Sequence, residues 1–181
     1  MLWVILGFLI GICVWVYNRI IVLKNLLIEA ESGVEVQLKR RYDLVPNLVR
    51  VVSAYCSHES DTLENVVQLR TKAMSTKKLV QKESVENQFE HSICGILMLK
   101  ESYPDLKANE VFLKLQKDLV VIEDDLQYAR RYYNGIVRTF NTFISVFPVC
   151  LFQKFLNVSE KPFFQLENIH EKNAPSIKDY L

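Results

Sequence analysis

From Leu2 to Tyr17 the chain carries no charged side chain, and beyond Asn18 and Arg19 four more apolar residues, Ile20 to Leu23, extend the run. With Arg19 snorkelling outward, the stretch reaches the roughly 20 residues that a bilayer-crossing helix requires. Trp3, Trp15 and Tyr17 stand near its ends, where amphipathic rings favour the water interface. A cleaved signal peptide is the rival, but no Lys or Arg precedes the run and no A-x-A-like site follows it. The pattern predicts an uncleaved anchor over residues 1–23, with the lipid bilayer as its first partner. Arg19 and Lys24, then Lys39, Arg40 and Arg41, follow the span, so the positive-inside rule places the N-terminus outside and the bulk of the chain in the cytoplasm. Gly7 and Gly11 form G-x-x-x-G within the span, a spacing that lets two helix backbones approach and predicts a homo-oligomer formed through the membrane.

Past the span, apolar residues recur at helical intervals: Leu23, Leu26, Leu27, Ala30, Val34 and Leu38, then Leu44, Val45, Leu48, Val49 and Val52. Pro46 interrupts this run and predicts a kink or a fresh start capped by Asp43. Asp61 and Glu64 resemble a capping box for a second helical region, which ends at Tyr103-Pro104. Its middle, Ser75 to Gln88, is polar enough to break it. Beyond Pro104, Phe112, Leu115, Leu119, Ile122, Leu126, Ala129, Tyr133, Ile136, Phe140, Phe143 and Phe147 alternate steps of three and four. Five heptads of this kind specify a long helix packed at a shallow, left-handed angle in coiled-coil fashion.

At about 1.5 Å per residue, the stretches 18–55, 60–102 and 107–146 would each span roughly 55 to 65 Å. The expected fold is all-α: an N-terminal transmembrane helix, then an antiparallel up-and-down bundle of three long rods over residues 24–156, the second rod broken or unbroken. A short C-terminal helix at Val149–Leu156 and a tail over 157–181 follow, in which Phe163, Phe164 and Ile177 are the docking residues.

Composition narrows the function classes more than it selects one. With 22 Lys plus Arg against 21 Asp plus Glu the net charge is +1, which excludes a dedicated nucleic-acid binder. The 4 cysteines, at 13, 56, 94 and 150, have neither zinc-ligand spacing nor a disulfide framework. His58-Glu59 begins like H-E-x-x-H, but Thr62 stands where the second histidine would be. Neither a phosphate-binding glycine loop nor a G-x-S-x-G nucleophile setting occurs. The reading is of a chain that is not an enzyme and takes no cofactor.

Three strings stand out: Val34-Glu-Val-Gln-Leu-Lys-Arg-Arg-Tyr-Asp-Leu-Val-Pro-Asn-Leu-Val49; Tyr103-Pro-Asp-Leu-Lys-Ala-Asn109 with Phe112, Leu115 and Gln116; and Ala129-Arg-Arg-Tyr-Tyr-Asn134 with Asn141 and Phe147-Pro148. Together they resemble the signature of the bacterial LemA family. The resemblance runs to Pro162-Phe163-Phe164 and implies a single-pass protein of the bacterial inner membrane with a cytoplasmic helical bundle. It implies no reaction. Glu31 departs from the tryptophan common in the family, and Gly95 from a longer polar residue, which predicts local loosening of its helix.

Polar motif residues in such a bundle need a role. If the first and third rods run the same way, Arg40, Arg41 and Asp43 stand level with Glu123 to Arg131. That predicts a partly buried ion-pair layer: Asp43 with Arg130 or Arg131, and Arg40 or Arg41 with Glu123 or Asp124. Two roles follow. The first is a membrane-anchored scaffold or adaptor presenting a helical rod to cytoplasmic proteins or to copies of itself. The alternative is an enzyme or ligand-binding protein using a polar site between the helices.

Overall fold

A computed structural model describes residues 1–76, 79–153 and 157–164. Helix α1 (Leu2–Ser53) is continuous, and α2 (Ser60–Ser75), α3 (Leu79–Met98), a one-turn α4 (Pro104–Lys107) and α5 (Glu110–Ser145) follow. Short 3-10 turns lie at Leu99–Glu101 and Val149–Phe152. The described regular structure is all helical, in accord with the apolar periodicity.

At about 1.5 Å per residue α1 is roughly 78 Å long, and it has two regimes. Between Trp3 and Trp15 its side chains are exposed, Ile12 alone being half-buried. This is the one described helix long and apolar enough to cross a membrane. From Val16 onward a stripe is buried: Val16, Ile20, Leu23, Leu27, Ala30, Val34, Leu38, Tyr42, Val45, Leu48 and Val52. Steps of three and four keep that stripe on one face of a 3.6-residue helix.

Pro46 neither breaks nor restarts α1, and Asp43 is an exposed mid-helix residue, not a cap. Proline lacks an N–H, so the carbonyl four residues earlier, that of Tyr42, loses its helical partner. Arg70 of α2 supplies one: its Nε donates to the Tyr42 carbonyl at 2.6 Å. Pro46 itself faces solvent, which spares the core its ring.

The second rod is not a rod. Helices α2 and α3 are separate and pack together as a helical hairpin, with most of the polar stretch inside α3. Lys82 of α3 pairs with Glu35 at 3.8 Å, while Glu86 meets Arg41 and Phe89 meets Tyr42, so α3 runs parallel to α1. The extra reversal turns α5 round. Tyr55 meets Asn109, Arg41 meets Glu123 and Trp15 meets Phe143, so α5 runs antiparallel to α1, contrary to the parallel placement expected for three rods. The result is an up-down-up-down four-helix bundle at the distal end. Toward the apolar end, α1 and α5 continue as a pair.

The expected capping box does not form. Glu59 is the N-cap of α2 without a side-chain bond, and Glu64 instead accepts from Gln68. Asn109 does cap α5, accepting from the Phe112 amide at 2.9 Å. The apolar stripe of α5 is broader than the heptad reading. Arg130, Val137 and Ile144 are buried, Ala129, Ile136 and Phe143 are half-buried, and Phe147 is exposed. Helix α3 passes through Gly95 without a break. The end of the short helix expected after Pro148, and Ile177, lie outside the described residues.

Candidate functional site

The heptad arithmetic that buries Leu38 and Val45 also buries what stands between them. Arg41 is three residues after Leu38 and four before Val45, and only 2% of its surface is exposed. On α3, Val85, Phe89, Ile93 and Ile96 form the buried face and bring Glu86 in with them. On α5, Arg130 lies four residues after Leu126 and three before Tyr133, and is likewise buried. Charged groups from three helices thus meet in one layer.

Arg41 is its centre. One guanidinium nitrogen donates to Glu86 and the other to Glu123 at 3.2 Å, and the Phe89 ring lies 5.5 Å away as a cation–π partner. Glu86 spends its second oxygen on the Tyr42 hydroxyl, which donates to it. Burial, then the charge and hydrogen bond of Glu86, hold the Tyr42 phenol well above its ordinary range, so it stays a donor. The inner pair Arg41–Glu86 is almost solvent-free, whereas Glu123 keeps about a third of its side chain in water.

Glu90 and Arg130 complete the layer. Burial first, and the Glu123 charge second, raise the Glu90 carboxyl above its ordinary value; Arg41, Arg130 and His91 oppose this only in part. Arg130 is pushed the other way, by burial and then by Arg41, with Glu123, Glu90 and Glu86 compensating. The Nε atoms of both arginines lack a hydrogen-bond partner among the described residues. Arg41, Glu90 and Glu123, with Ile93, Cys94, Leu97, Leu119 and Val120, line a cleft of about 180 Å³.

The structure therefore brings together part of the expected ion-pair set and rejects part. Arg41 with Glu123 is present, and Arg40 reaches Asp125 at 3.0 Å in a half-exposed pair, one residue beyond the expected Asp124. Asp43 joins neither arginine: it is exposed, Arg130 is buried and Arg131 is exposed, stacked 4.6 Å over Tyr128. Two residues at 100° each carry Asp43 some 200° round from Arg41, off the buried face. Asp124 is exposed as well. Gly7 and Gly11 lie on open faces of α1, and a Cβ at either would meet nothing within 4 Å.

A second polar set ties down the segment after the last turn. Asn134 exchanges two hydrogen bonds with the backbone of Phe164, at 2.8 and 2.9 Å, and Asn141 does the same with Lys161, both at 2.9 Å. Two asparagines seven residues apart on α5 thus act as a strand edge would. Tyr133 adds a bond to the Pro162 carbonyl and an edge contact to the Phe164 ring. Beside it Glu31 lines a cleft of about 370 Å³ with Lys24, Leu27, Ile28, Tyr133, Lys161 and Pro162.

Arg41, Tyr42, Arg130, Tyr133, Asn134 and Asn141 of these two sets, and the cap Asn109, fall within the three sequence strings, whereas Glu86, Glu90 and Glu123 lie outside them. The LemA family profile matches residues 30–178. The chain belongs to the LemA family. It is similar to the Protein LemA of Metamycoplasma hominis, 30% identical over 167 residues covering 88% of this chain and 75% of that one. The family name states no reaction. Within this LemA chain the strings supply the arginines and Tyr42 of the layer, the cap at Asn109 and the side chains that dock residues 161–164.

Proposed function

We propose that this LemA-family protein is a membrane-anchored helical scaffold. In this reading α1 crosses the bacterial cell membrane once, the N-terminus is outside, and the bundle stands in the cytoplasm holding protein partners, copies of itself among them. It catalyses no reaction.

One observation carries the reading: the innermost buried polar groups, Arg41, Glu86 and Tyr42, are directed at each other. Arg41 is shared between Glu86 and Glu123, and Tyr42 completes Glu86. The cleft beside them, about 180 Å³, is smaller than the roughly 300 Å³ at which small-molecule sites begin. A chain of 52 helical residues with an exposed apolar first third suits a post that carries a bundle away from a membrane.

A ligand-binding role is favoured by one feature, the raised carboxyl of Glu90 facing that same cleft. Displaced carboxylates of this kind serve binding sites as well as structural layers.

Proximity labelling from the full chain in its native membrane tests the scaffold, with residues 1–23 alone as control. A set of cytoplasmic proteins labelled by the full chain and lost with the bundle is expected. Identical sets from both would refute the reading.

A further inference from the structure

We infer that the turn after α5, Val146–Leu151, is a second membrane-contacting element that sinks into the bilayer surface beside the anchor. This rests on the anchor reading above. The turn carries exposed apolar surface that no described part of the bundle covers: Phe147 is 78% exposed, Leu151 65% and Val146 47%. Isolated exposed apolar residues need no explanation, but three within six residues on one turn form a patch.

Its height along α1 assigns the occupant. The Phe143 ring meets the edge of Trp15 at 5.9 Å, and α5 runs antiparallel to α1. Residues beyond Phe143 therefore lie alongside the part of α1 that precedes Trp15, where Ile10 and Val14 are exposed and no charge occurs between Leu2 and Tyr17. Charge is equally absent from Thr139 to Gln153. It returns as a collar behind the turn: Arg19 and Arg138 are exposed, and so is Glu160, which accepts from the Ser145 hydroxyl at 3.3 Å. The turn reaches beyond that collar by a few residues, consistent with the ~5–10 Å to which interfacial elements sink. Because its apolar surface continues that of the anchor, any partner there would itself lie in the membrane, and lipid is the occupant that the anchor already brings to that height. The bilayer edge then falls near Arg19, which leaves about 17 residues of α1 to cross, the short end of what a spanning helix needs and shorter than the 1–23 expected, and agrees with the burial of Ile20 and Leu23 against the bundle.

The test uses the full chain in phosphatidylcholine vesicles whose acyl chains are brominated in their upper part, with Trp3→Phe and Trp15→Phe removing the native fluorophores. Single reporters are Phe147→Trp, Leu151→Trp, Leu9→Trp in the anchor and Val121→Trp on the exposed distal face of α5. Bromolipid should quench Phe147→Trp and Leu151→Trp to an extent comparable with Leu9→Trp, and leave Val121→Trp bright. If Leu9→Trp is quenched while both turn reporters behave like Val121→Trp, the second contact is overturned and the anchor stands. Turn reporters shielded from bromolipid and from aqueous iodide alike would assign the patch to protein and also overturn it. If Leu9→Trp is unquenched, anchor and turn fall together.

Discussion

Pro46 and Arg70 form a testable pair, because one removes a hydrogen bond that the other replaces. Without an N–H at position 46, the Tyr42 carbonyl depends on the guanidinium of Arg70 at 2.6 Å. A hydrogen bond from a charged group contributes about 1.5–3 kcal/mol, and the half-buried position of Arg70 puts this one toward the lower end. Arg70→Met keeps much of the side-chain volume and loses the donor, so it should destabilise by about 1.5 kcal/mol. Pro46→Ala returns an N–H to the same carbonyl. In the Pro46→Ala background the cost of Arg70→Met should shrink to about 0.5 kcal/mol, giving a coupling of roughly 1 kcal/mol through the shared Tyr42 carbonyl. The assay is thermal unfolding by circular dichroism of the full chain in detergent micelles, where about 2–4 °C corresponds to 1 kcal/mol at this chain length. Equal losses from Arg70→Met in both backgrounds would refute the substitution of Arg70 for the missing amide.

Removing Glu86 as Glu86→Ala leaves the Tyr42 hydroxyl without its acceptor and Arg41 with only the part-exposed Glu123, and should cost about 3 kcal/mol, whereas Arg41→Met with Glu86→Leu should recover most of it; a double replacement as damaging as the single one, in the same melts, would contradict this. Glu90 is held above its ordinary 4.5 by burial and by Glu123, so the native state keeps a proton over a pH interval in which the unfolded chain has lost it. Stability therefore falls as pH rises from the unfolded toward the folded pKa of Glu90, and Glu90→Gln should flatten that decline in Tm; unchanged slopes would refute the assignment. Asn134→Ala with Asn141→Ala breaks four backbone bonds to residues 161–164, and hydrogen exchange there should accelerate while the amides of α1 near Val45 keep their protection. A membrane dimerisation reporter carrying the span should lose signal with Gly7→Ile and Gly11→Ile, and equal signals would exclude association through that face.

Much of the architecture is legible in the chain because two long apolar stripes, along α1 and α5, obey helical periodicity almost without error. The direction of α5 is not legible, since it depends on whether the polar stretch after Ser75 continues or reverses, and polar residues satisfy either. The Arg41–Glu123 pair is foreseen from a parallel arrangement yet found in an antiparallel one. It lies near the middle of α5, so turning that helix end for end moves the partner by only about two turns. Glu86 escapes notice because Ser84, Asn87 and Gln88 around it read as a solvated face, although Val85, Phe89, Ile93 and Ile96 mark the buried side. Arg41 sits at a stripe position, where a cation between apolar neighbours is a usable signal of a buried ion pair. The asparagine clasp leaves no periodic trace, because its partners are backbone atoms of a segment with no regular structure.

The most direct test of the scaffold account replaces the charged layer and asks whether interaction survives. Arg41→Met, Glu86→Leu, Glu90→Gln, Glu123→Gln and Arg130→Met together exchange the layer for uncharged groups of similar volume, which bundles tolerate when no buried charge is left alone. Proximity labelling by that chain in the native membrane, with its helicity confirmed by circular dichroism, should recover the same proteins as the unaltered chain. Loss of the labelled set from a folded, membrane-bound variant would contradict the account and assign the layer to a site that acts on a ligand.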